Sequence, residues 1–180
     1  MTTVSTNHRN ELLVLVRKQC AMLKVKGYGS FKEGPSIKHF GVSAINKGCT
    51  VIIFDMGECL GMDSTFMGVM AELAMRVHDA NGRLAAINLT EKTFSLLKTL
   101  GLNRIIDCYK VAELPAELKS VLIDAMDLEA LSLDEADQLT SLTTMLEAHQ
   151  NLVKAAPENI ARFKDVISYL DQDLNAFASK

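Results

Sequence analysis

The stretch Cys59-Leu60-Gly61-Met62-Asp63-Ser64-Thr65-Phe66-Met67-Gly68 decides how the chain folds. It joins an apolar run, Val51-Ile52-Ile53-Phe54, to a helical pattern that continues to about Asn81. Asp63 takes the N-cap position, because its carboxylate can accept from the free amide hydrogens of a first turn. Met62 and Met67 fall at the two positions of a hydrophobic staple, which fixes how the chain enters the helix. Ser64 and Thr65 become the first two helical residues, their hydroxyls at the rim of a strand-to-helix junction. In sheets flanked by helices, that rim is where ligands and partners usually bind.

Upstream of the junction, residues 1–10 read as a mobile polar tail. Leu12 to Val16 and Cys20 to Lys26 read as two strands joined by Arg17-Lys18-Gln19, the second alternating Leu23 and Val25 against Lys24 and Lys26. Gly27-Tyr28-Gly29-Ser30 reads as a turn, since it lacks the third glycine and the lysine of a phosphate-binding loop. Pro35 to about Asn46 can form a helix, with Pro35 in its first turn and Gly48 past its end. Thr50 to Asp55 has the nearly unbroken apolar character of a strand covered on both faces, and Gly57 begins the loop to Asp63.

Downstream, Phe66, Met70, Leu73 and Val77 form an apolar helical stripe, widened by Met67 and Ala74, with Glu72 and Arg76 paired on the outer face. The methionines read as core filler. Asn81-Gly82 ends this helix. Leu84 to Ile87 is another buried strand, Thr90 caps a helix that Gly101 stops, and Ile105 to Tyr109 is the last strand. Strands alternating with helices predict an α/β fold with parallel pairing, and the opening hairpin makes the sheet mixed.

The sequence changes character at Leu114-Pro115. Residues 115–180 hold 5 Lys or Arg against 12 Asp or Glu, a balance of −7, while the remainder carries +4. The expected division is therefore a tail over 1–10, a domain over 11–114 and an acidic helical extension over 115–180. In the extension Pro115 starts a short helix with Leu118, Val121 and Leu122, and Ser132-x-x-Glu135 has the form of a capping box. The longer helix after it carries a seam of Leu139, Leu142, Leu146, His149 and Val153, in which His149 reads as a tolerated seam residue. Pro157 opens a second helix with Ile160, Phe163, Ile167, Leu170, Leu174 and Phe177. The short Ala155-Ala156 connection makes the two an antiparallel hairpin, docked on the main domain by its opposite charge.

Composition excludes several classes. A hydrophobic share of 48% with 23% charged residues fits a folded globular chain. The longest apolar run, Leu12 to Val16, is far too short to span a membrane, and Met1 to Asn10 has no apolar core of a signal peptide. A cytoplasmic location is the expectation. Cysteines 20, 49, 59 and 108 are scattered, without a Cys-x-x-Cys pair, and the four histidines lack metal-ligand spacing. No cofactor and no metal are expected. With a net charge of −3 and 6% aromatic residues, nothing suggests nucleic-acid binding.

Asp63-Ser64-Thr65, reached from a strand and an Asp-containing loop, resembles the Asp-Ser-Ser/Thr helix start of STAS domains, the bacterial anti-sigma factor antagonists and their relatives. The resemblance covers roughly residues 10–114 and is mostly hydrophobic pattern outside the junction. The usual form continues Gly-Leu-Gly, whereas Phe66-Met67-Gly68 follow here, one glycine short. The resemblance implies a mixed, mostly parallel sheet flanked by helices. It implies a binding protein, not an enzyme, that holds an anti-sigma factor with serine kinase activity while Ser64 is unphosphorylated. Phosphorylation of Ser64 would release the partner, and a serine phosphatase would reset it. Gly61, Asp63, Thr65, Phe66 and Gly68 would form the partner-binding surface, beside the loop at Gly27–Ser30.

Two other readings compete. A hydrolase with Ser64 as nucleophile needs Gly-x-Ser-x-Gly, and Met62-Asp63-Ser64-Thr65-Phe66 supplies neither glycine. It also needs a base within reach, and His78 lies on the order of 20 Å down the same helix, while His39 cannot be placed from sequence. A constitutive STAS scaffold of a signalling or lipid-transport complex, without phosphorylation, is the alternative that the missing glycine and the long extension favour.

Overall fold

A computed structural model describes residues 10–110, 113–116, 118–119, 127–133 and 136–178. The expected tail over residues 1–9, Val121 and Leu122 of the short helix, and Glu135 of the capping box lie outside them. Asn10 is described, and its side-chain oxygen accepts from the Tyr28 amide at 2.9 Å.

Strands β1 (Glu11–Arg17) and β2 (Cys20–Gly29) form an antiparallel hairpin, and β2 continues through helix α1 (Gly34–Asn46) into strand β3 (Val51–Met62). Helix α2 (Ser64–Asp79), strand β4 (Arg83–Leu89), helix α3 (Glu91–Thr99) and strand β5 (Asp107–Lys110) complete the alternation. A two-residue strand, β6 (Glu129–Ala130), pairs antiparallel with β1, so the sheet order is β5-β4-β3-β2-β1-β6. Pairing is parallel among β2, β3, β4 and β5. This is the mixed, mostly parallel α/β sheet the alternation predicts.

Alternate residues of the central strands enter two cores. Leu23, Ile52, Phe54, Leu84 and Ala86 pack on the helical side, while Met22, Ile53, Ala85 and Ile87 face the other. Leu118, with Leu114 beside it, closes that second side, which is why β3 is apolar on both faces. Helix ends follow their local chemistry. Thr90 and Thr93 form a reciprocal capping box, and Asn81 and Gly101 adopt left-handed backbone at the ends of α2 and α3.

Five expectations are corrected. Gly27-Tyr28-Gly29 is not a turn, and Gly57 to Met62 is not a loop. Both are strand, because β2 and β3 keep pairing through Gly27 with Cys59 and Gly29 with Met62, over two register shifts. The last strand starts at Asp107, since Leu102–Arg104 form a single 3-10 turn that holds Ile105 and Ile106 in its exit. Ser132 does not start the long helix. The chain there is still leaving β6, where the Leu131 amide donates to the Leu12 carbonyl, and Asp137 is the N-cap, accepting from the Thr140 amide.

The fifth correction concerns the hairpin of α4 (Gln138–Ala155) and α5 (Ile160–Ala178), joined by a 3-10 turn at Pro157–Asn159. The seam of α4 is rotated from the heptad reading. Thr144, Leu146, Ala148, His149 and Leu152 are buried, while Leu139 is 44% exposed. Ala148 and Leu152 belong to the same core as Phe66, Met70 and Leu73, so apolar burial seats the hairpin, and the Lys38–Glu147 and Arg104–Glu158 pairs lie at its edges. Glu72 is consequently buried. It accepts from Arg76 at 2.8 Å and pairs with Lys38 at 3.3 Å, and Lys38 bridges on to Glu147 of α4. In α5 the pattern holds at Phe163 and Leu170, but Ile160 and Phe177 are exposed.

Candidate functional site

The junction is held from both sides by Asp63. One carboxylate oxygen accepts from the Phe66 amide at 2.8 Å, capping α2. The other accepts from the Phe31 amide at 2.7 Å, so the connection after β2 is tied to the start of α2. Glu33 rigidifies the same connection, accepting from the Ser30 amide at 2.9 Å and from its hydroxyl at 2.6 Å. Phe31 and Tyr28 remain 43% and 52% exposed beside the junction, and Leu60 is exposed as well. Lys92 donates to the Leu60 carbonyl at 2.6 Å and stands over the Tyr28 ring.

Ser64 is half-buried, and its hydroxyl is engaged. Its Oγ lies 2.9 Å from Nε2 of His149. Nδ1 of His149 lies 2.7 Å from the Met145 carbonyl, which can only accept, so Nδ1 carries a proton. In the neutral ring Nε2 is then the acceptor and Ser64 donates to it. The imidazole is 6% exposed and packs edge-on against the Phe163 ring at 5.1 Å, so α4 and α5 together fix its orientation.

The other residues expected at the site are placed as follows. Thr65 and Phe66 are buried, and Phe66 stands edge-to-face with Phe54 at 6.3 Å. A Cβ on Gly29 would meet the Phe66 ring at 2.6 Å, which explains a glycine there. Gly68 lies under the backbone of Ala148. Gly61 backs onto the Tyr28 ring. The structure thus brings Asp63 and Ser64, both half-buried, to one rim, buries Gly61 behind the Tyr28 ring, and turns Thr65, Phe66 and Gly68 toward the chain's own interior. Sequence reasoning read His149 only as a tolerated seam residue, without connecting it to Ser64, and passed over Phe31. The available signal for His149 was a pair of small residues, Gly68 in an otherwise apolar helix and Ala148 in the extension, that lets two helices approach closely.

Chemically, a serine hydroxyl on a neutral imidazole has the contact of a nucleophile and its base. His149, on the extension, makes that contact, while His78 lies toward the far end of α2. The setting differs from a nucleophile elbow, because Ser64 lies on an ordinary capped helix start beneath α4. A groove of about 820 Å³ opens between α1 and α4, lined by Lys38, Val42, Leu139 and Thr143 among others, and a pocket of about 310 Å³ lies near His78 and Arg104. Neither lining includes Ser64 or His149. Among the described residues, no three His, Cys, Asp or Glu side chains converge as a metal site, and no helix is long and apolar enough to cross a membrane.

No family model matches the chain, and no curated protein is similar to it in sequence. Solved structures are. The anti-sigma factor antagonist SpoIIAA in its unphosphorylated form shares 17% identity at a TM-score of 0.51, over 63% of this chain and 96% of that one. An anti-sigma factor antagonist of Mycobacterium paratuberculosis shares 14% at 0.52, over 69% of this chain and all of that one, 100%. The protein TM1081 of Thermotoga maritima shares 17% at 0.52, over 71% and 94%. The chain therefore has the STAS fold of the anti-sigma factor antagonists. The matches span nearly all of each neighbour and leave part of this chain without a counterpart.

Proposed function

We propose that the chain is a cytoplasmic regulatory binding protein of the anti-sigma factor antagonist kind, without catalytic activity of its own. Its partner is an anti-sigma factor with serine kinase activity, held while Ser64 is unphosphorylated, and a serine phosphatase restores the binding form. The observation that carries the reading is Ser64 at the first position of α2, beside the Asp63 cap, within this fold. The partner surface would be the rim of Asp63 and Ser64 with the exposed Tyr28, Phe31 and Leu60, shaped from beneath by Gly61, Thr65, Phe66 and Gly68.

The electrostatics support a switch that a partner reads at the interface. A phosphoserine brings about −1.5 to −2 charges to a helix start that the dipole partly favours, although Asp63 opposes it. A partner that must desolvate that charge loses far more, and about 1.4 kcal/mol is already tenfold in affinity. The test compares partner affinity for the native protein, its Ser64-phosphorylated form, and the Ser64→Ala and Ser64→Asp variants. Ser64→Ala should bind and resist switching, and Ser64→Asp should bind more weakly. Equal affinity for the phosphorylated and unphosphorylated protein would falsify the switch.

The covering of Ser64 and Gly68 by α4 favours a second reading, a constitutive scaffold that works without phosphorylation. Phosphopeptide mapping of Ser64 in growing and stressed cells separates the two.

A further inference from the structure

The Ser64 face of α2 is already occupied by a helix of the same chain. Three features make it a close seat. The Ala148 backbone rests on Gly68, the Ser64 hydroxyl donates to His149, and Lys38 ties Glu72 beneath the helix to Glu147 upon it. Ala148 and Leu152 bury their apolar surface in the domain core. The far end is anchored separately, since the buried Asn159 side chain donates to the Leu100 and Leu152 carbonyls at 3.0 and 2.9 Å.

The His149 ring stands against the Ser64 hydroxyl, where a phosphoryl group on that oxygen in its present rotamer would have to go. The 2.9 Å between Ser64 Oγ and His149 Nε2 is filled by a hydrogen bond. The imidazole is held by the Met145 carbonyl and the Phe163 ring. The nearest acidic group at the junction, Asp63, is committed to two backbone amides and would repel the added charge. We propose that this α2 face is a helix-receiving surface whose resident occupant is α4, and that α4 seating and Ser64 phosphorylation exclude each other. Phosphorylation would lift α4 from Thr144 to His149, while its end at Leu152 stays attached to the turn at Asn159. This deepens the reading above and rests on Ser64 being the modified residue. It makes the extension an internal competitor for the surface the partner uses.

The test is amide hydrogen exchange on the full-length chain, with phosphoserine installed at position 64 during translation so that no kinase is needed. Amides of α4 from Thr144 to His149 should exchange at least about tenfold faster than in the unmodified chain, with β3 and β4 unchanged. Ser64→Ala, which removes the hydrogen bond without adding bulk or charge, should stay within about threefold of the native rates. Unchanged or slower exchange in α4 would overturn the proposal, the slower case meaning that His149 binds the phosphate in place. Equal acceleration in β3 and β4, or an α4 opened as far by Ser64→Ala, would overturn it too. Because the modification is made without the kinase or partner, failure here is distinct from failure of the affinity test.

Discussion

A Cβ on Gly68 would stand 2.3 Å from the carbonyl oxygen of Ala148, so α2 and α4 meet backbone to backbone at these two residues. Helix propensity alone predicts that Gly68→Ala stabilises the chain by about 1 kcal/mol. The packing predicts the opposite sign. The methyl group must push α4 away, at a cost of about 1–3 kcal/mol. Urea unfolding of the variant measures the difference, and the amides of α4 should lose protection first.

Leu152 and Leu139 test the orientation of α4. Leu152 is fully buried and Leu139 is largely exposed at the groove. Leu152→Ala should cost about 2–5 kcal/mol and Leu139→Ala about 0.5 or less. Both variants should unfold in one transition by circular dichroism and by fluorescence of a dye on the domain, because hairpin and sheet share a core.

Asp63 joins two elements with one carboxylate. Asp63→Ala removes the cap and the Phe31 acceptor together, at a cost of about 1–2 kcal/mol. Asp63→Asn should recover part of it, as its one side-chain oxygen serves one amide. Exchange of the Phe31 amide reads the loss directly.

Much of this architecture was legible because its signals are local. Asp63, Thr90, Asn81 and Gly101 act within a few residues of themselves, and they bound α2 and α3 where the sequence says. The continuation of β3 to Met62 was not legible, since its pairing partners at Gly27 and Gly29 lie across the sheet. The seam of α4 misled for a related reason. A heptad count rewards Leu139 over Ala148, whereas a glycine-floored seat demands the small residue. His149 reaches Ser64 across 85 residues of sequence, a relationship no spacing rule contains.

The cysteines give a pH-dependent expectation. Burial pushes the Cys20 and Cys108 thiols up to about 11, and it raises Cys49 and Cys59 as well. A raised thiol pKa disfavours the reactive thiolate at every pH below it. At pH 7.5 the native chain should therefore alkylate with iodoacetamide at least about tenfold more slowly than the urea-unfolded chain. The Cys20 and Cys108 rates should still be rising between pH 9 and 11, where an unperturbed thiol levels off. Equal rates in native and unfolded chains would show that the thiols are not shielded.

The seating of α4 through Ser64 is most directly tested by the tautomer of His149, read from side-chain nitrogen shifts of the full-length chain at a pH where the ring is neutral. The Met145 carbonyl and the Ser64 hydroxyl together require the Nδ1–H form with Nε2 as acceptor. His149 should show that form alone, with an Nε2 shift that changes on Ser64→Ala. An Nε2–H ring, or a ring averaging between tautomers and indifferent to Ser64→Ala, would contradict it.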